Sequence, residues 1–261
     1  MKRNTAIPIL IVALAGVFAL SFLNNKEEEN SGSVVISEAV ASPMPGSSKG
    51  LMLVLKIEGE GPPQKIISVT SPDAKHVMYH GVEGAENLII PANSKASLSM
   101  DGAHLMLHGF EGEITDGRLV TIKMDFDSAE SVTTKARVSI GSGSGHAGHG
   151  ATYKVPDSEI KPAIALNVEP ETNGTGWNIN AEVTDFKFDK QAVDRTHVPG
   201  TGHGHIYLNG LKLGRVFERT TAIGMLPKGT HLVRVTLNTN DHRVYIVDGR
   251  PVTATAEIVV E

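Results

Sequence analysis

The chain has 261 residues, a net charge of −5 and no cysteine. Its mild acidity offers no basic patch for nucleic acid, and the missing thiols exclude disulfides, thiolate–metal bonds and acylation at cysteine. Stability must then come from burial, and a soft-metal site must be built from the 8 Met and 11 His, every His lying at or beyond position 76.

In chain order, Met1-Lys2-Arg3-Asn4 is basic, Ala6 to Leu23 carries no ionisable side chain, and Lys26-Glu27-Glu28-Glu29 follows. That charge order predicts insertion with the N-terminus in the cytoplasm and export of the remainder to a periplasmic or other extracytoplasmic space. Residues 1–23 are read as a signal peptide or a retained inner-membrane anchor, and 24–32 as a polar linker. From Val34 onward, short Val/Ile/Leu-rich runs recur between Gly, Pro, Asn and Asp, which predicts an all-β fold of sandwich type. The clearest predicted strands are 51–57, 65–69, 119–124 and 134–138. Gly141 to Gly150, with His146 and His149, cannot bury anything and reads as a flexible linker. It divides a domain at 33–140 from one at 151–261, where strands are predicted at 163–168, 177–183, 205–208, 231–237 and 252–260. Asn209-Gly210 and Asp248-Gly249 are type I′ hairpin signals.

The chemistry of the first domain lies in His104-Leu105-Met106. On a strand, residues two apart share a face, so an imidazole and a thioether reach one point. A thioether does little for zinc, calcium or magnesium, whereas Cu(I) favours sulfur with imidazole. Around this pair the features come in a specific order. Ile36 to Gly46 leads into the strand at 51–57, Ser71-Pro72-Asp73-Ala74 precedes a strand ending at His80, and Ile90-Pro91-Ala92 precedes His104-Leu105-Met106-Leu107-His108-Gly109. Residues 33–140 thereby resemble the PCu(A)C family of periplasmic copper chaperones. The resemblance implies a cupredoxin-like sandwich with Cu(I) ligands at His104, Met106 and the upstream His80. It also implies delivery to a cuproprotein, either the CuA subunit of cytochrome oxidase or a Sco-type partner. Family members usually carry a longer, Met-containing hairpin after the upstream His, and Gly81 to Leu88 has no Met. Met78 is the stand-in, giving M-x-H facing H-x-M, with Met100 a weaker substitute. A three-coordinate site of His80, His104 and Met106 also suits Cu(I). His76, at the start of its strand, and His108, at the site's edge, are read as non-ligands.

In the second domain, Gly202-His203-Gly204-His205 puts two imidazoles on one face, and Gly204 leaves room for another chain or a ligand to approach. If the domain is immunoglobulin-like, the strand through His205 pairs antiparallel with 231–237. That pairing brings His203 and His205 to Asn240-Asp241-His242, makes a site of His203, His205 and His242 with His197 as a fourth ligand, and leaves His231 bonded locally. A parallel arrangement would exchange His242 for His231. Asp241 reads as a turn former. The G-H-x-H, P-x-G-x-H and N-D-H elements resemble an exported bacterial β-sandwich module of undefined role. An all-imidazole site suits Cu(II) or Zn(II). The leading expectation is an exported copper chaperone, not an enzyme. A three-His metalloenzyme and a metal-free adhesion or assembly module are the alternatives.

Overall fold

Buried Leu51, Leu53, Leu55 and Ile57 alternate with the less buried Met52, Val54, Lys56 and Glu58, and this two-residue period makes one long strand the spine of the first half. The computed structural model describes residues 31–83, 88–141 and 151–261. The expected signal or anchor segment, most of the polar linker, and linker residues 142–150 with His146 and His149 lie outside the described residues. Among those described, no helix is long and apolar enough to cross a membrane.

The first half holds β1 (Ser33–Pro43), β2 (Gly50–Glu60), β3 (Gln64–Thr70), β4 (Ala74–His80), β5 (Ile89–Ile90), β6 (Lys95–Leu98), β7 (His104–Phe110), β8 (Leu119–Phe126) and β9 (Val132–Val138). Pairing runs β4-β7-β2-β1-β9-β8-β3-β5, with β6 beside β7 along β2. The strand β1 joins both layers. It pairs antiparallel with β2, shifts register between Ser37 and Val40, and pairs parallel with β9 at Val40 and Ala41. The layers enclose Leu53, Leu105, Leu107, Phe110, Val120 and Ile122.

The second half contains β10 (Thr152–Lys154), β11 (Ala163–Pro170), β12 (Gly176–Thr184), β13 (Lys187–Phe188), a 3-10 turn (Lys190–Ala192), β14 (Thr201–Leu208), β15 (Leu211–Val216), β16 (Thr220–Gly224), β17 (Gly229–Asn238), β18 (Val244–Val247), β19 (Arg250–Pro251) and β20 (Thr253–Val260). Sheet β15-β14-β17-β20 packs on sheet β11-β12-β16 over Ile179, Ile206, Ile223, Val233 and Val235. The strand through His205 pairs antiparallel with β17, as the immunoglobulin-like reading requires, with His203 opposite Asn238 and His205 opposite Thr236. Asn209 (φ 51°) with Gly210 (φ 89°), and Asp248 (φ 50°) with Gly249 (φ 78°), have the paired positive φ of type I′ turns.

The two halves form one compact unit, Gly32–Glu261. Leu211 packs into the first core and Ile89 into the second. Along the seam, Lys212 bridges Ser97 across β15 and β6, Ala103 N–H donates to Gly210 O at 2.7 Å, and Glu83 N–H donates to Asn209 O at 3.1 Å. Arg234 pairs with Glu83 at 2.8 Å and lies over the Tyr207 ring. The approach at the hairpin tip is possible because three glycines, Gly81, Gly102 and Gly210, meet there. A Cβ on Gly210 would sit 2.2 Å from Gly81 O, and one on Gly102 would sit 2.6 Å from Gly210 O.

Candidate metal sites

On the first half, antiparallel pairing sets His80 opposite His104, Met78 opposite Met106 and His76 opposite His108. Directly opposed residues share a face, so M-x-H does face H-x-M. The same alternation turns Val77, Tyr79, Leu105 and Leu107 toward the core. The His80 and His104 rings stand 5.0 Å apart, tilted by 48°. His104 is buried, Met106 half-buried, and His80 and Met78 exposed, Met78 at 57%. The ring of His104 is oriented by its own turn, because Gly102 O lies 3.1 Å from Nδ1. A carbonyl only accepts, so Nδ1 carries the hydrogen and Nε2 keeps the lone pair a metal needs.

Sequence reasoning missed one thioether. Met52 on β2 stands in register with Met106 from the opposite side, so Met78, Met106 and Met52 form a row across three adjacent strands. The signal was present in Leu51-Met52-Leu53, where alternation puts Met52 on the face away from the core, but nothing in the sequence says that β7 lies between β2 and β4. Met100 goes elsewhere and lines a crevice at the seam with Ser97, Lys212 and Arg215. His76 is exposed and His108 half-buried, both one row beyond the methionines.

In the second half, His203, His205 and His242 each offer one nitrogen, and these nitrogens lie within 4.8 Å of one another. His203 and His205 are buried on β14, with their Nε2 atoms 3.0 Å apart. His242 arrives from the turn after β17, in a left-handed conformation at φ 68°, with its ring 5.0 Å from that of His203. Burial, and then the neighbouring His205 and His242, push the His203 imidazole down to about 2, so it stays neutral through the physiological range. Its Nδ1 is buried without a hydrogen-bond partner.

Carboxylates hold the outer edges of the other two rings. His205 Nδ1 lies 2.8 Å from Asp101 Oδ2, and His242 Nε2 hydrogen-bonds Asp194 Oδ1, which holds the Asp194 carboxyl below its ordinary value. Asp101 comes from the first half. The Tyr207 hydroxyl at 2.9 Å and Lys212 Nζ at 2.6 Å fix it further. Burial lowers the Lys212 ammonium, and the ion pair with Asp101 partly offsets that shift.

Two residues of the second half are placed differently from the sequence reading. His197, the expected fourth ligand, is not among the three converging imidazoles and packs edge-on instead against Tyr153 at 4.4 Å and Tyr245 at 5.5 Å. Gly204 admits no ligand, because the space a Cβ would take is closed by Val235 at 3.0 Å and Val216 at 3.1 Å, on the core side of the strand. His231 bonds locally, through Nε2 to Pro227 O at 2.8 Å, and Asp241 braces its turn through Thr239 and Arg243.

Residues 34–138 match the family described as "Putative lipoprotein LpqE-like". This segment is an LpqE-like domain. It coincides with the span whose motifs resemble PCu(A)C proteins. The sequence holds no cysteine to carry the acyl chain that such a description implies. No curated protein matches the chain. Among solved structures, the apo PCuAC domain from PmoF1 is 19% identical, covers 42% of this chain and 95% of its own, and has a TM-score of 0.38. The copper-bound PCuAC domain from PmoF2 is 22% identical, with 42% and 94% covered and a TM-score of 0.38. The solution structure of CuI-DR1885 from Deinococcus radiodurans is 23% identical, with 40% and 76% covered and a TM-score of 0.34.

Proposed function

We propose that this protein is an extracytoplasmic copper carrier and not an enzyme, binding Cu(I) as cargo at His104, Met106, His80 and Met78 on the LpqE-like domain. The observation that carries the reading is the β4–β7 register, which opposes His80 to His104 and Met78 to Met106. Imidazole with thioether is a donor set that favours Cu(I) over harder ions. The gradation of burial fits transfer by ligand exchange. His104 is a fixed anchor, while His80 and the exposed Met78 lie where an incoming ligand can replace them. By family resemblance, the acceptor is the CuA subunit of cytochrome oxidase or a Sco-type protein.

The test is metal transfer. Cu(I)-loaded protein, mixed anaerobically with an apo CuA domain, is expected to metallate it faster than the same Cu(I) presented on a small-molecule chelator, and His104→Ala should abolish that advantage. Equal rates from protein and chelator would contradict the carrier reading.

A further inference from the structure

The three imidazoles of the second half are not used by the proposed copper carrier, and they converge on one point. His203, His205 and His242 each turn one nitrogen toward the others, and the Nε2 atoms of His203 and His205 lie 3.0 Å apart, at hydrogen-bond distance. An ion at the point of convergence would be met by one nitrogen from each of the three rings. A tetrahedral metal with bonds of about 2.0–2.1 Å to nitrogen separates its ligand atoms by roughly 3.3 Å, close to the 3.0 Å between the Nε2 atoms of His203 and His205.

The surroundings point the same way. Ligating histidines characteristically give their other ring nitrogen to a carboxylate or carbonyl, which fixes the tautomer and raises the basicity of the ligand nitrogen. His205 does so to Asp101 and His242 to Asp194. Asp101 is held from two further sides, by Tyr207 and Lys212, and is nearly buried. A carboxylate in that setting is a fixed part of a site rather than a solvated surface charge.

We propose that His203, His205 and His242 form a second metal centre, separate from the copper-cargo site, that takes a borderline divalent ion, Cu(II) or Zn(II), and that the LpqE-like half completes it by supplying Asp101. The donor set lacks sulfur, so the centre does not share the first site's preference for Cu(I). Asp101 is a positioning residue acting through His205. It lies in the same turn as Gly102, whose carbonyl orients His104, so one five-residue turn, Ser99–Ala103, braces a ligand of each site.

The full chain should be titrated with Co(II) as a spectroscopic stand-in for Zn(II), and then with Zn(II) and with Cu(II) in competition. One ion per chain is expected, with visible cobalt bands of a low-coordinate nitrogen site. His242→Asn, which keeps a residue tolerant of positive φ at that turn, should abolish them. Asp101→Asn and the surface change Asp194→Asn should each weaken binding by about 10- to 100-fold. Asp101→Asn should also shift the cobalt bands, which loss of fold stability alone would not do. His104→Ala should leave this titration unchanged, so failure of the copper-carrier reading would not be mistaken for failure of this one. Displacement of Co(II) by Zn(II) alone or by Cu(II) alone identifies the ion within the class. Wild-type binding no tighter than His242→Asn would overturn the centre, and unchanged affinity and bands in both aspartate variants would overturn the role given to Asp101.

Discussion

The two histidine clusters differ in burial, in softness and in who holds them. On the first half, His80, Met78, Met106 and His104 lie on a sheet face that grades from exposed to buried, and the backbone carbonyl of Gly102 braces the His104 imidazole. On the second half, His203 and His205 are buried, sulfur is absent from the cluster, and carboxylates hold two of the three rings. An open, soft, lightly braced site suits cargo that must leave. A closed, nitrogen-only, doubly braced site suits an ion that stays. The same residue type thus serves opposite purposes according to the strands and turns behind it.

That contrast depends on the docking of the halves, and the largest expected effect comes from breaking it. Gly210→Ala puts a Cβ 2.2 Å from Gly81 O at φ 89°, between the backbone segments that follow His80 and precede His104. It should cost about 3 kcal/mol or more, read as a fall in melting temperature, and weaken metal binding at both sites. Gly249→Ala is the control. It has the same turn type and a φ of 78°, but no atom within 4 Å of its Cβ, so only backbone strain remains, about 1 kcal/mol. Equal losses in the two variants would show that the seam does not hold the unit together.

A second effect, gentler over any one pH unit, separates the clusters by pH. In the metal-free protein, unfolded His203 takes a proton near its ordinary value of 6.5, whereas the folded imidazole resists down to about 2. Between those values the unfolded chain binds one proton more, so stability falls as pH drops, by at most about 1.4 kcal/mol per pH unit. Denaturant titrations across that window should show the slope, and His203→Asn should flatten it by one proton. An unchanged slope would mean that the ring is solvated.

Much of this was legible in the chain because it is local or periodic. Two-residue alternation gives the strands, Asn209-Gly210 gives the turn, and the antiparallel return of β17 carries His242 back to His203 and His205. The same logic gave M-x-H facing H-x-M. What stayed hidden comes from turns that carry no period. Asp101 meets His205 across 104 positions, Asp194 meets His242 across 48, and neither separation leaves a pattern. His197 looked like a ligand because it is a loop histidine near a cluster. The aromatic rings of Tyr153 and Tyr245 claim it instead. Met52 needed the strand order, which alternation alone does not supply.

The most direct measurement is Cu(I) affinity, by competition with a chelator, for the wild-type chain and four variants. His104→Ala and Met106→Ala are expected to lose affinity by orders of magnitude, Met78→Leu less, and Met52→Leu no more than a fewfold, in keeping with the outer place of Met52 in the row. Affinity indistinguishable from wild type in the His104 and Met106 variants would contradict the account.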